Sequence, residues 1–349
     1  MSKLKFCRMR ISAFMLVLLL FSTHGIADGS PVVRLGGSGW VADAPTKVAD
    51  LKGYFNPDSA APLIEVIYFN SGKETLDSLL SGDLEIALAA TSPVAAQLLQ
   101  SAERRGTDVD DLVILSSVSL SNQSHYIIAT TDRGIHSLQD LNGRRVGVML
   151  GTSGHFAWYR FANTHALKTE GITLIDMPIS EQSTQLQAGE VDAVVSWDPW
   201  GLQVQQALGE NAVIFSAREV HTVDWLIVVR RGFAEENPDV MDRIISGYAK
   251  AIELIQNQPE SARQLHAKFS GIPTEELARM EEGIIWRMAL NWAVLANVEA
   301  QFQWLNSWPE YTDITPPTPA QYLHAEPFNR VIPGGVNLPS YMYSMDSIP

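Results

Sequence analysis

The sequence contains almost no cysteine. Cys7 is the only one among 349 residues, and it lies in a basic stretch before the first apolar segment. We expect this stretch to be removed on export, which leaves a mature chain without cysteine. That absence excludes disulfide bonds, thiolate metal sites and cysteine nucleophiles. Lipid attachment is also excluded, because the modified cysteine would have to follow the apolar segment.

Long apolar runs are scarce as well. The run from Ile11 to Phe21 follows four basic residues and precedes the small-x-small sequence Gly25-Ile26-Ala27. This order predicts a signal peptide over residues 1–27, cleaved after Ala27. The run is short for a membrane span, with an uncleaved anchor as the alternative, and no other run is long enough to cross a bilayer. We therefore expect a periplasmic protein of a Gram-negative cell.

Positive charge is in deficit. The formal net charge is −14, and it becomes −18 once the four basic residues of the signal peptide are lost. A chain this acidic is a poor match for nucleic acid. The histidines lack the spacing of a metal site, and Asp108, Asp110 and Asp111 lack the glycine and distal glutamate of a calcium loop. We predict no metal, no cofactor and, without a GxSxG elbow, no catalytic residues.

The rest of the chain alternates strands, glycine loops and helices. From Arg145 to Trp158, an apolar strand breaks at Gly151-Thr152-Ser153-Gly154 and continues as a helix. The unpaired N–H groups at such a helix start can hold an anion; alternatively, Thr152 or Ser153 is an ordinary N-cap. The strand from Val32 to Leu35 and the glycine loop that follows repeat the pattern.

Two segments with the same order of residues indicate two similar lobes. SGDLEIALAATSP and AGEVDAVVSWDPW align when Gly82 is placed on Gly189. The predicted fold class is α/β: each lobe has a mainly parallel sheet flanked by helices, and a ligand cleft lies between the lobes beyond the carboxyl ends of the strands. The predicted boundaries are 28–122 plus 223–315 for lobe 1 and 123–222 for lobe 2.

The pattern changes after the strand from Asp224 to Val229. We predict helices with no strands between them: Pro238 to Gln256, Glu260 to Phe269, Thr274 to Met280, and about Ala289 to Trp304. From Pro316 onward, proline and glycine are frequent. Residues 316–349 are therefore predicted to be an irregular tail on the surface.

Several stretches resemble the substrate-binding proteins of ABC importers, in the aliphatic sulfonate, taurine and nitrate group that also includes thiamine-precursor binders. They are Gly53-Tyr54-Phe55, SGDLEIAL, LNGRRVGVMLGTSGH, AGEVDAVVSWDPW and the helical run from Pro238 through Ala262. The resemblance covers about residues 32 to 310. It implies a type II periplasmic binding protein that closes on a ligand and performs no catalysis. Two regions differ from the family pattern. The first loop, GGSGWVAD, is small, and the segment from Ile332 to Pro349 either forms a lid or packs against the protein.

The loops at the expected cleft supply the candidate ligand-binding residues: Ser38, Gly39, Trp40, Thr91, Ser92, Thr152, Ser153, His155, Trp197, Asp198, Trp200, Asp224 and Trp225. Some have a second, structural interpretation. Asp198 either pairs with a ligand ammonium group or caps the helix at Pro199, and Trp197 either lines the cleft or packs between the lobes. His155 either donates to an oxyanion or packs beneath the loop, and Asp224 either faces the cleft or only ends a strand.

The leading functional hypothesis is capture of a small organosulfonate, such as taurine or an alkanesulfonate, by lobe closure. Helix-end N–H groups and hydroxyls would bind the sulfonate, and a carboxylate would bind any ammonium group. The alternatives are a thiamine precursor or other nitrogen heterocycle, nitrate, a quaternary amine, an enzyme on the same scaffold, or a sensor that hands its ligand to a membrane kinase. As implied by the resemblance, the expected partners are a small-molecule ligand and an inner-membrane permease with its ATPase, and the receptor is expected to be a monomer.

Overall fold

The computed structural model describes residues 32–57, 60–103, 111–122, 125–218 and 220–342. The predicted signal peptide with Cys7 lies outside the described residues, as do Asp108 and Asp110. Within the described ranges the strands form two sheets. The first sheet contains β1 (Val32–Ser38), β2 (Leu63–Phe69), β3 (Ile86–Ala90), β4 (Leu112–Ser121), β10 (Val223–Arg230), β11 (Ile284–Asn291) and β12 (Val336–Asn337). The second contains β5 (His125–Thr130), β6 (Arg145–Val148), β7 (Thr173–Asp176), β8 (Ala193–Trp197) and β9 (Ala212–Ser216).

The sheets are mixed, which corrects the expectation of mainly parallel sheets. The first has the order β12-β11-β4-β10-β3-β1-β2 and the second the order β7-β6-β8-β5-β9. Strand β10 is antiparallel to both β3 and β4, and β5 is antiparallel to both β8 and β9. Both strands are the first that the chain forms after it passes from the other sheet. Each therefore starts at the edge where its neighbours end, which reverses its direction.

Helices cover both sheets. Those of the first are α1 (Ala44–Leu51), α2 (Gly72–Ser81), α3 (Thr91–Glu103), α7 (Arg231–Glu236), α8 (Pro238–Asn257), α9 (Pro259–Ser270), α10 (Thr274–Met280), α11 (Trp292–Leu305) and α12 (Glu326–Val331). Those of the second are α4 (Ser153–Thr164), α5 (Gln182–Ala188) and α6 (Trp200–Leu208). Among the described helices, none is both long and apolar enough to cross a membrane.

Local chemistry explains where α2 begins and ends. The Ser71 side chain accepts a hydrogen bond from the main-chain N–H of Glu74 at 3.3 Å, which satisfies one of the unpaired donors of the first turn. Gly82 ends the helix with φ of 86°, a left-handed conformation that glycine adopts without the steric cost of a Cβ atom. The helix start is thereby held at the carboxyl end of β2.

The prediction of helices without intervening strands is wrong at β11, which lies between α10 and α11. Its residues Ile284–Asn291 pair antiparallel with β4, so that Trp286 is opposite Ser119 and Ala289 opposite Ser117. The tryptophans and methionines near this position also fit a helical spacing. This segment is a strand and not a helix because it pairs with the distant strand β4, and the local sequence does not indicate that pairing.

The prediction of an irregular surface tail is wrong for residues 316–342. Tyr322, Leu323 and Phe328 in this segment are buried. Leu323 bridges Ile114 of β4, and β12 pairs with β11 at the edge of the first sheet. The segment covers a sheet edge whose N–H and C=O groups would otherwise lack partners, which is why it is ordered despite its prolines and glycines.

Candidate functional site

A pocket lies where the carboxyl edges of the two sheets face each other. It is lined by Trp40, Ser71, Gly72, Lys73, Ala90, Pro93, Thr152, Ser153, Trp197 and Trp225. The volume of the pocket is about 20 Å³, enough for one or two water molecules. The walls are therefore close together, and a larger ligand requires the two sheets to separate.

The starts of two helices line the pocket from opposite sides. Helix α2 begins at Gly72 beside the first sheet, and α4 begins at Ser153 beside the second. The first N–H groups of each helix have no partner within the helix and carry the positive end of its dipole. Lys73, in the first turn of α2, adds a full positive charge, which is shared with Asp77 at 2.6 Å. The pocket is thus suited to an anion.

Two hydroxyl groups stand at the start of α4. Thr152 occupies the N-cap position, but its hydroxyl donates to the carbonyl of Met149 at 2.6 Å and makes no capping bond to the helix. The Ser153 hydroxyl lies 3.2 Å from Nε2 of His125. Burial holds the pKa of His125 well below its usual value, so the ring is neutral at physiological pH. Ser153 is therefore a polar group of the pocket with a neutral partner.

Three indole rings supply the apolar part of the lining. Trp40 and Trp225 meet edge to face, with ring centroids 4.8 Å apart. A Cβ atom on Gly72 would lie 2.4 Å from the Trp225 ring, and one on Gly154 would lie 3.0 Å from the Trp197 ring. These two positions are glycine because the indoles approach the helix starts so closely.

A buried charged pair behind the pocket, not predicted from the sequence, holds the indole of Trp225 and the main chain of Trp40. Asp43 accepts hydrogen bonds from Nε1 of Trp225 at 2.8 Å and from the Ser38 N–H at 2.7 Å. Lys47, only 1% exposed, donates to the carbonyl of Trp40 at 2.8 Å. Burial raises the pKa of Asp43 and lowers that of Lys47 to about 8. One clue was present in the segment VADAPTKVADL: Asp43 and Lys47 are four residues apart, the spacing that places two side chains on the same side of a helix.

The remaining predicted site residues surround the pocket without lining it: Ser38, Gly39, Thr91, Ser92, His155, Asp198, Trp200 and Asp224. Five lining residues were not predicted from the sequence: Ser71, Gly72, Lys73, Ala90 and Pro93. Ser71-Gly72-Lys73 is a further strand-to-helix junction, and this pattern was the available clue for Lys73.

Both predicted carboxylates are engaged in internal hydrogen bonds. Asp198 accepts from the hydroxyl of Tyr126 and from the N–H of Leu202 in α6, each at 3.2 Å, as expected for the capping interpretation. Burial raises its pKa to about 6. Asp224 accepts from the hydroxyl of Ser117 at 3.0 Å and from the amide of Asn297, and burial raises its pKa too. Among the described residues, no carboxylate lines the pocket.

His155 faces an aromatic cluster between the lobes. Its ring centroid lies 4.7 Å from that of Trp308 and 5.3 Å from that of Trp304. Its Nδ1 accepts from the N–H of Gly151 at 3.4 Å, and burial lowers its pKa to about 4. The position agrees with the packing interpretation, because a neutral ring that faces α11 does not donate into the pocket.

The other five residues lie in the backbone segments around the pocket. The Ser38 hydroxyl accepts from the N–H of Trp40 at 3.2 Å, and the Gly39 N–H donates to the carbonyl of Phe69 at 2.8 Å. The Thr91 hydroxyl donates to the carbonyl of Asp224 at 3.2 Å, and Ser92 is buried. Trp200 donates from Nε1 to the carbonyl of Asn70 at 3.4 Å, which links α6 to the start of α2. No group of three or more potential metal ligands occurs within the described ranges.

The two mixed sheets with a pocket between their facing carboxyl edges form the periplasmic binding protein fold. Residues 27–269 match the NMT1-like family, and the chain belongs to that family. This confirms the family resemblance and the two-lobed α/β fold inferred from the sequence.

Individual relatives are more distant. The chain is 26% identical to the taurine-binding periplasmic protein of Escherichia coli over 68% of this chain and 73% of that one. Its structure is similar to the alkanesulfonate-binding protein SsuA of Xanthomonas axonopodis pv. citri bound to MOPS, with a TM-score of 0.70 and 18% identity over 84% of this chain and 98% of that one. The nitrate-binding protein NrtA of Synechocystis PCC 6803 has a TM-score of 0.64 and 14% identity over 90% and 91%. At these identities the two structural matches establish the fold alone.

Proposed function

We propose that this protein is the solute-binding component of an ABC importer and that it captures a small alkanesulfonate in the pocket between the two sheets. The convergence of the α2 and α4 starts on one pocket carries the proposal. A sulfonate has three acceptor oxygens and one negative charge, which match neutral N–H and hydroxyl donors together with a single lysine. The indoles of Trp40, Trp197 and Trp225 accommodate the alkyl group.

The lining favours a plain alkanesulfonate over an amino-sulfonate. An ammonium group in a closed pocket needs a carboxylate or several acceptors, and the described lining contains no carboxylate. Taurine, the ligand named for the Escherichia coli relative, is therefore expected to bind more weakly than ethanesulfonate, which differs from it by the amine alone. Asp198→Ala should weaken the two ligands equally, since Asp198 caps α6 and does not reach the pocket.

Nitrate is the second candidate. The volume of about 20 Å³ is smaller than a sulfonate with its alkyl group, and nitrate offers three acceptor oxygens without an apolar part. Nitrate has no apolar group for the tryptophans of the pocket to contact, whereas the alkyl group of an alkanesulfonate would pack against them. The sulfonate is preferred for that reason.

In this proposal the chain is exported with cleavage after Ala27, acts as a periplasmic monomer and closes on its ligand by movement of the two lobes. The moving units are residues 28–122 with 223–315 and residues 123–222, and the closed form is delivered to a membrane permease with its ATPase. The periplasmic name of the taurine-binding relative supports this location. Packing of residues 316–342 on the first sheet supports including that segment in the first lobe.

Calorimetry on protein freed of copurified ligand tests the proposal. Ethanesulfonate is expected to bind with a micromolar dissociation constant, and Lys73→Gln to weaken it about 10-fold, the loss of roughly 1.4 kcal/mol expected for one charge-assisted hydrogen bond. Lys52→Gln, an exposed lysine outside the pocket, is the matched control. Micromolar binding of nitrate with none of any sulfonate would establish the second candidate. No micromolar binding of sulfonates, nitrate or thiamine precursors would contradict both.

A further inference from the structure

A second and larger cavity lies between α4, α11 and residues 220–222, and it shares no residue with the pocket described above. Its volume is about 440 Å³, inside the range of about 300–1,000 Å³ that small-molecule sites occupy. The cavity combines elements of both lobes with the segment through which the chain returns to the first sheet. A molecule bound there would touch all three.

Two side chains of this cavity have buried polar atoms without partners. Gln301 is 2% exposed, and its Oε1 accepts no hydrogen bond from any described residue. Both ring nitrogens of His221 are also buried and form no hydrogen bond with any described residue. Burial lowers the pKa of this ring to about 3. Buried polar atoms without partners are uncommon because each costs free energy on folding. Because Oε1 of Gln301 is buried, a ligand with a hydrogen-bond donor would satisfy it once the side-chain amide turns toward the cavity.

The cavity also has a cation and an aromatic wall. Arg160 donates from Nε to the carbonyl of Val220 at 3.0 Å, which orients the guanidinium group, while its two terminal nitrogens form no ion pair with the described residues. Trp304 and Tyr159 line the same cavity, with ring centroids 6.0 Å apart. A carboxylate can accept from both terminal nitrogens of one arginine, and a flat ring can pack on the indole.

We propose that this cavity is a second ligand-binding site, for a small aromatic carboxylate that also carries a hydrogen-bond donor. The carboxylate pairs with Arg160 and the ring packs against Trp304 and Tyr159. The Gln301 side-chain amide turns toward the cavity, where its Oε1 accepts a hydrogen bond from the ligand's donor. Because the ligand bridges α4 and α11, it stabilises one relative position of the two lobes. Occupancy of this site therefore changes the affinity of the first pocket, and the first ligand changes affinity here by the same factor.

Calorimetry with 4-aminobenzoate as the probe tests the site. We expect saturable binding to the wild-type protein in the submillimolar range and about 10-fold weaker binding to Arg160→Gln. Ala300→Phe, at an exposed position of α11 that lines the cavity, should abolish binding by filling the space. Ala296→Phe is the matched control, since Ala296 is exposed one turn earlier on the same helix and does not line the cavity. Lys168→Gln is the control for Arg160→Gln. It removes one positive charge from the same lobe at an exposed position away from the cavity, so this variant should bind the probe as the wild type does.

Three results would overturn the proposal: no saturable binding to wild-type protein, equal binding by Ala300→Phe and Ala296→Phe, or equal binding by Arg160→Gln and Lys168→Gln. Binding of the probe that is competitive with ethanesulfonate and insensitive to Ala300→Phe would also overturn it, by placing the probe in the first pocket. Ethanesulfonate affinity of Ala300→Phe, measured separately, distinguishes failure of this site from failure of the proposed function.

Discussion

The pocket depends on residues that do not touch it. Asp43 and Lys47 lie behind the indoles and hold Trp225 and the Trp40 carbonyl by hydrogen bonds of 2.8 Å each. Both side chains are almost fully buried. Burying a charge costs free energy unless an opposite charge lies nearby. Asp43 and Lys47 therefore each reduce the cost of burying the other. The pair is best understood as a rigid support for two walls of the pocket.

Asp43→Asn should lower the free energy of unfolding by about 3 kcal/mol, because it leaves Lys47 as a buried cation without compensation. Adding Lys47→Met should restore part of this loss, since the neutral side chain keeps the apolar stem. Urea denaturation of the two single variants and the double variant measures the coupling. Asp77→Asn, at an exposed carboxylate, serves as control. Additive effects of the two substitutions would show that the residues do not act as a pair.

The start of α2 is the element on which the pocket geometry depends most. Gly72 lies against two neighbours at once: an added Cβ would be 2.4 Å from the Trp225 ring and 2.9 Å from the Cα of Ala89 in β3. The backbone of β3 cannot move without disturbing the centre of the first sheet. The start of α2 and Trp225 must therefore move apart instead, which changes both the donor groups and the wall of the pocket.

Gly72→Ala should destabilise the protein by about 1–3 kcal/mol, the usual cost of overpacking, and weaken ethanesulfonate by at least about 10-fold. Gly232→Ala in α7 is the matched control, because a Cβ there meets nothing within 4 Å. Thermal unfolding and calorimetry measure the two effects. Unchanged ligand affinity in Gly72→Ala would show that the start of α2 does not bind the ligand.

Buried titratable groups make the stability of the whole molecule depend on pH. Burial lowers the pKa of His155 and His266 to about 4 and that of His221 to about 3. In the unfolded chain these rings bind protons near pH 6.5, so between about pH 6.5 and 4 the unfolded state holds more protons than the folded state. Stability is full above this interval and falls as pH decreases through it. Asp198, with its pKa raised to about 6, acts in the opposite direction.

The unfolding free energy should therefore decrease between pH 6.5 and pH 4, by up to about 1.4 kcal/mol per pH unit for each such histidine. His155→Gln should make the dependence shallower. Asp198→Asn should make it steeper, because it removes the group that stabilises the folded state at lower pH. Urea denaturation at several pH values measures the slopes, with His136→Gln at an exposed position as control. A slope that is the same in all three variants would contradict this account.

The local sequence was sufficient for three of the junctions that meet at the pocket. Glycine and hydroxyl residues after short apolar runs marked the strand-to-helix junctions at Trp40, Thr152 and Trp197, and the repeat of GDLEIAL in GEVDAVV indicated two similar sheets. These features are local because turns and helix starts depend on a few neighbouring residues. The family resemblance and the fold class followed from the order of these junctions.

Long-range packing decided the rest. Ile284–Asn291 became a strand because β4 offered a free edge, and residues 316–342 became ordered because they cover that side of the sheet. The roles of the acids were also decided at long range: Asp43 meets Trp225, 182 residues away, whereas Asp198 and Asp224 find internal partners instead of the pocket. Which side chain reaches a pocket and which satisfies a buried neighbour depends on contacts between distant segments, and these exist only once the two sheets have assembled.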